Sequence, residues 1–274
     1  MRANRILLSA ILVAGGCGGP PPPTGTEPQP ATDLETTPEP SEASGPLAIL
    51  EAPVIFTVIE ASTHDDPALE SLIAPFRDRM GEEIREVLGE SEGVLSKAWP
   101  EGTLGNFATD AMLWAANRVF DEPIEMALTN NGGLRVPIGP GSITMGQMYE
   151  LMPFENMLSV LVLSGDQVRE LCDQLAEKRG EPIAGFSFRI VTQGQRRVAQ
   201  DVLVGGKEVD PKARYRLVTN DYMANGGDSF SALEAPLSRT DLPVLVRDAF
   251  IEYIREVRVL QPRLEGRITG GIGE

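Results

Sequence analysis

The chain has 274 residues, with 40 Asp and Glu against 24 Lys and Arg, a net charge of −16, one histidine and two cysteines. An acidic chain without a basic stripe argues against a nucleic-acid polymer as partner, though it leaves room for a small anion held by a few placed arginines. The length allows one large domain or two small ones.

The chain opens as an export signal. Met1 to Arg5 is a short basic stretch, Ile6 to Val13 is apolar, and Ala14-Gly15-Gly16 precedes Cys17. This apolar run is too short to span a membrane as a permanent helix and reads as a secretory signal. The small residues before the cysteine resemble a bacterial lipobox, so residues 1–17 are expected to be a lipoprotein signal with Cys17 as the lipidation site. Residues 18–46, rich in Pro, Thr and Glu, bury too little to offset their ordering entropy and are expected to form an extended tether. Between Arg5 and Arg77 there are ten acidic residues and no Lys or Arg. An exported lipoprotein on the periplasmic face of a membrane, on the outer membrane or at the cell surface is the expected location.

Residues 47–65 form an apolar, β-rich lead-in, and residues 66–270 are expected to be a single folded domain. From Asp66 to about Val87, apolar residues recur at three- and four-residue steps (Leu69, Leu72, Ile73, Phe76, Met80, Ile84, Val87), predicting a helix with Pro75 inside it. A second helix is predicted from Leu104 to Phe120 and a short strand from Glu125 to Thr129. Met157 to Leu163 reads as a buried strand. Ser164 and Gln167 form a capping-box pattern ahead of a helix carrying Val168, Leu171, Cys172 and Leu175. Phe186–Val191 and Val198–Val204 read as paired strands, Tyr215–Thr219 as another, and a last helix is predicted from Asp241 to about Val257. Elements mixed without strict alternation predict an α+β or mixed α/β fold. Cys172, at an apolar helix position, reads as a small buried hydrophobe rather than a reactive thiol.

Three segments stand out for chemistry: Asn130-Asn131-Gly132-Gly133-Leu134-Arg135, Met152-Pro153-Phe154-Glu155-Asn156, and Tyr222 followed by Ala224-Asn225-Gly226-Gly227-Asp228-Ser229-Phe230. Taken singly, each has a plain structural explanation: Asn and Gly dominate tight turns, Phe154 suits a core, and Asp228 suits a turn or cap. Together they supply paired glycines that allow φ > 0 and close approach of the main chain to a ligand. They also supply a guanidinium fork at Arg135, amides, a carboxylate and two rings. That set suits a flat, polar-edged ligand such as a nucleotide.

In this order, and with Leu104-Gly105-Asn106, Thr109-Asp110-Ala111-Met112, Leu163-Ser164-Gly165 and Ile183-Ala184-Gly185-Phe186, the stretch from about Asp66 to Ile268 resembles the C-terminal, nucleotide-binding domain of the 5′-nucleotidase family. The resemblance implies that Phe154 and Tyr222 stack on the base, that Asn130 and Arg135 contact the nucleotide, and that Asp228 binds the ribose hydroxyls, with Gly132, Gly133, Gly226 and Gly227 shaping the loops. Two departures are visible. Thr103 and Asn106 stand in a region where many relatives carry an arginine, and Tyr222 replaces a more frequent phenylalanine.

Full-length relatives hydrolyse phosphate esters with an N-terminal metallophosphatase domain carrying two divalent metals. The sole histidine, His64, reads as an exposed linker residue, and one histidine with scattered carboxylates does not assemble a dinuclear site. No catalytic residue, metal or cofactor is therefore expected in this chain. The leading expectation is a nucleotide-binding subunit of a split 5′-nucleotidase, with metals supplied by a separate metallophosphatase. The alternatives are a non-enzymatic surface lipoprotein that binds nucleosides or nucleotides, and a relic with a structural or interaction role.

Overall fold

The computed structural model describes residues 66–271. The expected export signal with Cys17, the expected tether, the expected lead-in and His64 lie outside the described residues.

The first element is helix α1 (Pro67–Glu83), which runs through Pro75 and opens on the Asp66 carboxylate, whose Oδ1 accepts from Ala68 N at 2.8 Å. It ends earlier than its apolar spacing predicts. The Ile84 and Glu86 carbonyls accept from Gly146 N and Met145 N, both at 2.9 Å. These bonds draw the chain into strand β1 (Val87–Ser91), so Val87 belongs to a sheet and not to a helix. Leu69, Leu72, Ile73 and Phe76 lie exposed on α1, which buries little of its apolar stripe among the described residues.

Helix α2 (Thr103–Val119), strands β2 (Met126–Leu128) and β3 (Gly141–Thr144), helix α3 (Met145–Leu151), strand β4 (Met157–Ser164) and helix α4 (Gly165–Glu177) follow. The predicted capping box opens α4: Gln167 N donates to Ser164 Oγ at 3.3 Å and Ser164 N donates to Gln167 Oε1 at 3.0 Å. A second box, Thr144 with Gln147, opens α3. Then come β5 (Ile183–Ala184), β6 (Phe186–Gln193), β7 (Arg196–Val204), β8 (Lys207–Glu208), β9 (Arg214–Asn220) and the single turn α5 (Asp221–Ala224). The chain closes with β10 (Ser238–Leu245), α6 (Val246–Val257), β11 (Val259–Leu260) and β12 (Ile268–Gly270).

The last long helix begins at Val246, not at Asp241. Residues 238–241 are claimed by antiparallel pairing with β4, in which Asp241 lies opposite Ser159 and accepts its hydroxyl at 2.6 Å. Pro243, which has no N–H to give, lies in the irregular stretch of that pairing.

The centre is a five-stranded mixed sheet in the order β10-β4-β9-β2-β5. Both of its faces are covered, and the period-two alternation of strand side chains assigns each residue to one side. Ala127, Leu158, Val160 and Val218 face a core built from Phe107, Ala111 and Met112 of α2 and Phe250 and Ile254 of α6. Met126, Leu128, Leu161, Leu163 and Leu217 face a second core with Leu171, Cys172 and Leu175 of α4 and Phe186, Phe188 and Ile190 of β6. Two-sided burial is why β4 reads as an almost unbroken apolar run. Smaller sheets, β11-β1-β3 and β12-β6-β7-β8, flank the centre. The Cys172 thiol is fully buried, and burial pushes its pKa well up, as an inert core residue requires.

Candidate functional site

Strand topology brings the three segments together. β2 and β9 are parallel neighbours, with Met126 opposite Leu217 and Ala127 opposite Val218. They therefore deliver Asn130 and Tyr222 from adjacent carboxyl ends. In sheets of this kind ligands gather beyond the carboxyl ends of parallel strands. β4 runs antiparallel to β9, with Leu158 opposite Asn220, so residues 154–156, just ahead of β4, reach the same edge. The result is a cleft of about 490 Å³ lined by Asn130, Gly132, Gly133, Phe154, Glu155, Asn156, Tyr222 and Asp228.

Polar side chains tie the segments to one another. Buried Asn220 donates to Thr129 Oγ1 at 3.1 Å and to Asn130 Oδ1 at 3.4 Å, while its own oxygen caps α5 by accepting from Met223 N at 2.8 Å. Asn156 donates to Asp221 Oδ1 at 2.7 Å, joining the β4 approach to α5. Asn131 N donates to a Glu181 carboxylate oxygen at 2.6 Å. Burial pushes the Glu181 carboxyl above the usual range, against the pull of that hydrogen bond.

The two rings stand in the open, Phe154 at 42% and Tyr222 at 46% exposure. A large ring left exposed on a polar rim offers a face for stacking. Arg135 lies with its guanidinium carbon 5.8 Å from the Phe154 ring centre and donates to Gly132 O at 3.2 Å. The Tyr222 hydroxyl donates to Asp228 Oδ1 at 3.3 Å, an interaction a phenylalanine would lack.

The glycines do different jobs from those expected of them as a set. Gly132 and Gly133 are not among the residues at positive φ. What they provide is space, because a Cβ on either would crowd the Asn130 amide at 3.3 and 3.2 Å. Gly226 does adopt a left-handed φ of 89°, and a Cβ on Gly227 would fall 2.6 Å from Cδ1 and Cζ of Tyr222. Asp228 and Ser229 also hold left-handed φ values of 57° and 56°. Such backbone is uncommon outside glycine and collects at ligand-binding loops.

A model of the 5′-nucleotidase C-terminal domain matches residues 82–235. The chain belongs to the 5′-nucleotidase C-terminal domain family. It is 29% identical to the trifunctional nucleotide phosphoesterase protein YfkN of Bacillus subtilis over 77% of this chain and 16% of that protein. It is 26% identical to a human 5′-nucleotidase over 79% of this chain and 42% of the relative. Among solved structures, a 5′-nucleotidase precursor from Thermus thermophilus superposes with a TM-score of 0.61 at 30% identity, covering 74% of this chain and 42% of that one. The chain thus spans less than half the length of these relatives.

Within this 5′-nucleotidase C-terminal domain, the structure brings Asn130, Gly132, Gly133, Phe154, Tyr222 and Asp228 to one cleft. Arg135 sits against Phe154 without lining the cleft, and Gly226 and Gly227 set the course of the loop beneath Tyr222. Sequence reasoning missed Glu155 and Asn156 as lining residues, although both fall inside a motif it singled out. It also missed Arg247, which is buried, donates to the carbonyls of Met152 (3.1 Å) and Phe154 (3.5 Å), and stacks 4.2 Å from the Tyr149 ring centre. Arg247 lies 93 residues from Phe154, and no local spacing signals the contact. No group of three or more His, Cys, Asp and Glu able to hold a metal exists among the described residues.

Proposed function

We propose that this domain binds a nucleotide in the Phe154–Tyr222 cleft, with the base stacked on the two rings. Asp228 receives the ribose hydroxyls, and Asn130 and Arg135 contact the nucleotide. The observation that carries the reading is the convergence of two exposed rings, an amide and a carboxylate at one sheet edge. In the proposed assembly the chain is the substrate-binding subunit of a split 5′-nucleotidase. Hydrolysis would come from a separate metallophosphatase that holds the divalent metals, and an anchor at Cys17 would hold the chain on the outer face of a membrane.

Calorimetry of the purified chain with AMP and adenosine tests the site. Binding without metal is expected, reduced about fivefold or more by Phe154→Ala or Tyr222→Ala, in line with the roughly 1–3 kcal/mol of a stacked base. Unchanged affinity in both variants would remove the stacking assignment. The split-enzyme reading is tested by mixing the chain with candidate metallophosphatases and following phosphate release from AMP, which should rise only in the mixture. A second reading, a surface lipoprotein that captures nucleosides or nucleotides, uses the same cleft. That reading predicts the same binding but no gain on mixing.

A further inference from the structure

A second cleft, of about 320 Å³, lies elsewhere on the domain and shares no lining residue with the first. Trp99, Pro100, Arg179 and Arg197 form its chemically active wall, and Ile190, Gly270 and Gly271 complete it. No carboxylate lines it, which is unusual for a protein of net charge −16. Neither arginine forms an ion pair among the described residues. Trp99 is 52% exposed.

The backbone at Arg179 is the second observation. Helix α4 ends in a closed loop in which Gly180 N donates to Leu175 O at 2.8 Å and Arg179 N donates to Ala176 O at 3.1 Å. This closure puts the residue after the helix cap in the left-handed region, where glycine is the usual occupant. Here it is an arginine at φ 71°. The fold gains nothing visible from the side chain, which is exposed and lines the cleft. A residue kept in costly backbone without a packing reason points to a role for its side chain.

We propose that this cleft is a binding site for a small aromatic anion. The flat ring would lie on the Trp99 indole, and a phosphate or carboxylate would be held by the guanidinium groups of Arg179 and Arg197. Guanidinium forks match the geometry of both anions, and an indole accepts a planar ring in a sequence-tolerant way. Neither an anion without a ring nor a ring without charge satisfies both halves.

The test uses the full mature chain and simple probes: phenyl phosphate, benzoate, inorganic phosphate and benzyl alcohol. Binding is followed by quenching of tryptophan fluorescence, with Trp99→Phe assigning the signal between the two tryptophans. Phenyl phosphate or benzoate is expected to quench Trp99, with binding about tenfold or more tighter than that of inorganic phosphate or benzyl alcohol, the loss expected from one missing charge-assisted contact. Comparing phenyl phosphate with benzoate identifies the preferred anion. Arg179→Gln and Arg197→Gln should each weaken binding about tenfold, and raised salt should weaken it further. Arg179→Gly serves as the second variant, since it relieves the backbone. It should raise the urea midpoint while losing ligand, an outcome that a purely structural arginine would not give. Retention of binding in Phe154→Ala/Tyr222→Ala separates this site from the first cleft, and loss in that double variant would overturn the assignment. So would failure of both aromatic anions to quench Trp99, or undiminished binding in the arginine variants.

Discussion

Arg247 shows how one side chain can set the placement of another. Its guanidinium fixes the carbonyls on either side of Pro153 and so holds the approach to Phe154. Arg247→Met should leave two carbonyls without their donor and cost about 2 kcal/mol in urea denaturation. AMP affinity should fall about tenfold as the Phe154 loop loosens. Lysine cannot reproduce the fork and should rescue only part of either loss. Glu181 offers a pH test at the same scale. Burial raises its folded pKa above the unfolded value, so the folded state binds the proton more tightly. Its contribution is therefore fully present below the ordinary carboxylate range and is lost as pH rises through the raised folded value. Glu181→Gln should flatten that part of the stability–pH curve, as measured by urea midpoints from pH 4 to 8.

The site segments were legible because two of them pair glycines with polar or aromatic residues after an apolar run, and the third sets Pro153-Phe154 directly before one. What stayed hidden depends on contacts remote in sequence. Arg247 meets the Phe154 loop only once β10 has paired with β4 and α6 has begun at Val246, where Val246 N donates to Asn156 O at 2.8 Å.

Elements were most legible where a local rule acted alone. The long strands β4, β6, β7 and β9, and helices α2 and α4, follow from periodicity and capping. Replacing the cap, Ser164→Ala, should cost about 1 kcal/mol of stability in chemical denaturation without altering nucleotide affinity, because the cap lies at the opposite end of β4 from Asn156. Strands β1 and β3 were not legible, being short elements of a small sheet whose residues carry too little alternation to outweigh a helical pattern upstream. The same competition misplaced the ends of α1 and α6. In both, residues with acceptable helical spacing were taken by a strand partner, around Thr144 for the first and around Ser159 for the second.

For the described body as a whole, the fold follows from one sheet buried on both faces, and the family and architecture were readable because most of the ordered motifs map onto the ends of strands and the others onto α2. Ligand binding should act on this body as a unit. AMP at about one hundred times its dissociation constant should add about 2.7 kcal/mol to the unfolding free energy. Scanning calorimetry should show this as a rise of about 5–10 °C, since roughly 1 kcal/mol moves a domain of this size by 2–4 °C. The Phe154→Ala/Tyr222→Ala variant should show no such rise.

The register of β4 against β9 carries a final consequence. Sliding β4 by a single residue would turn Leu158 and Val160 away from α2 and, in the same motion, draw Asn156 off Asp221. The interior thus acts as a ruler for the rim, and loops 129–135, 152–156 and 222–230 hang from marks that cannot drift. Their tips are free to change composition, so ligand preference can be rewritten there by exchanging loops alone, with the ruler left untouched.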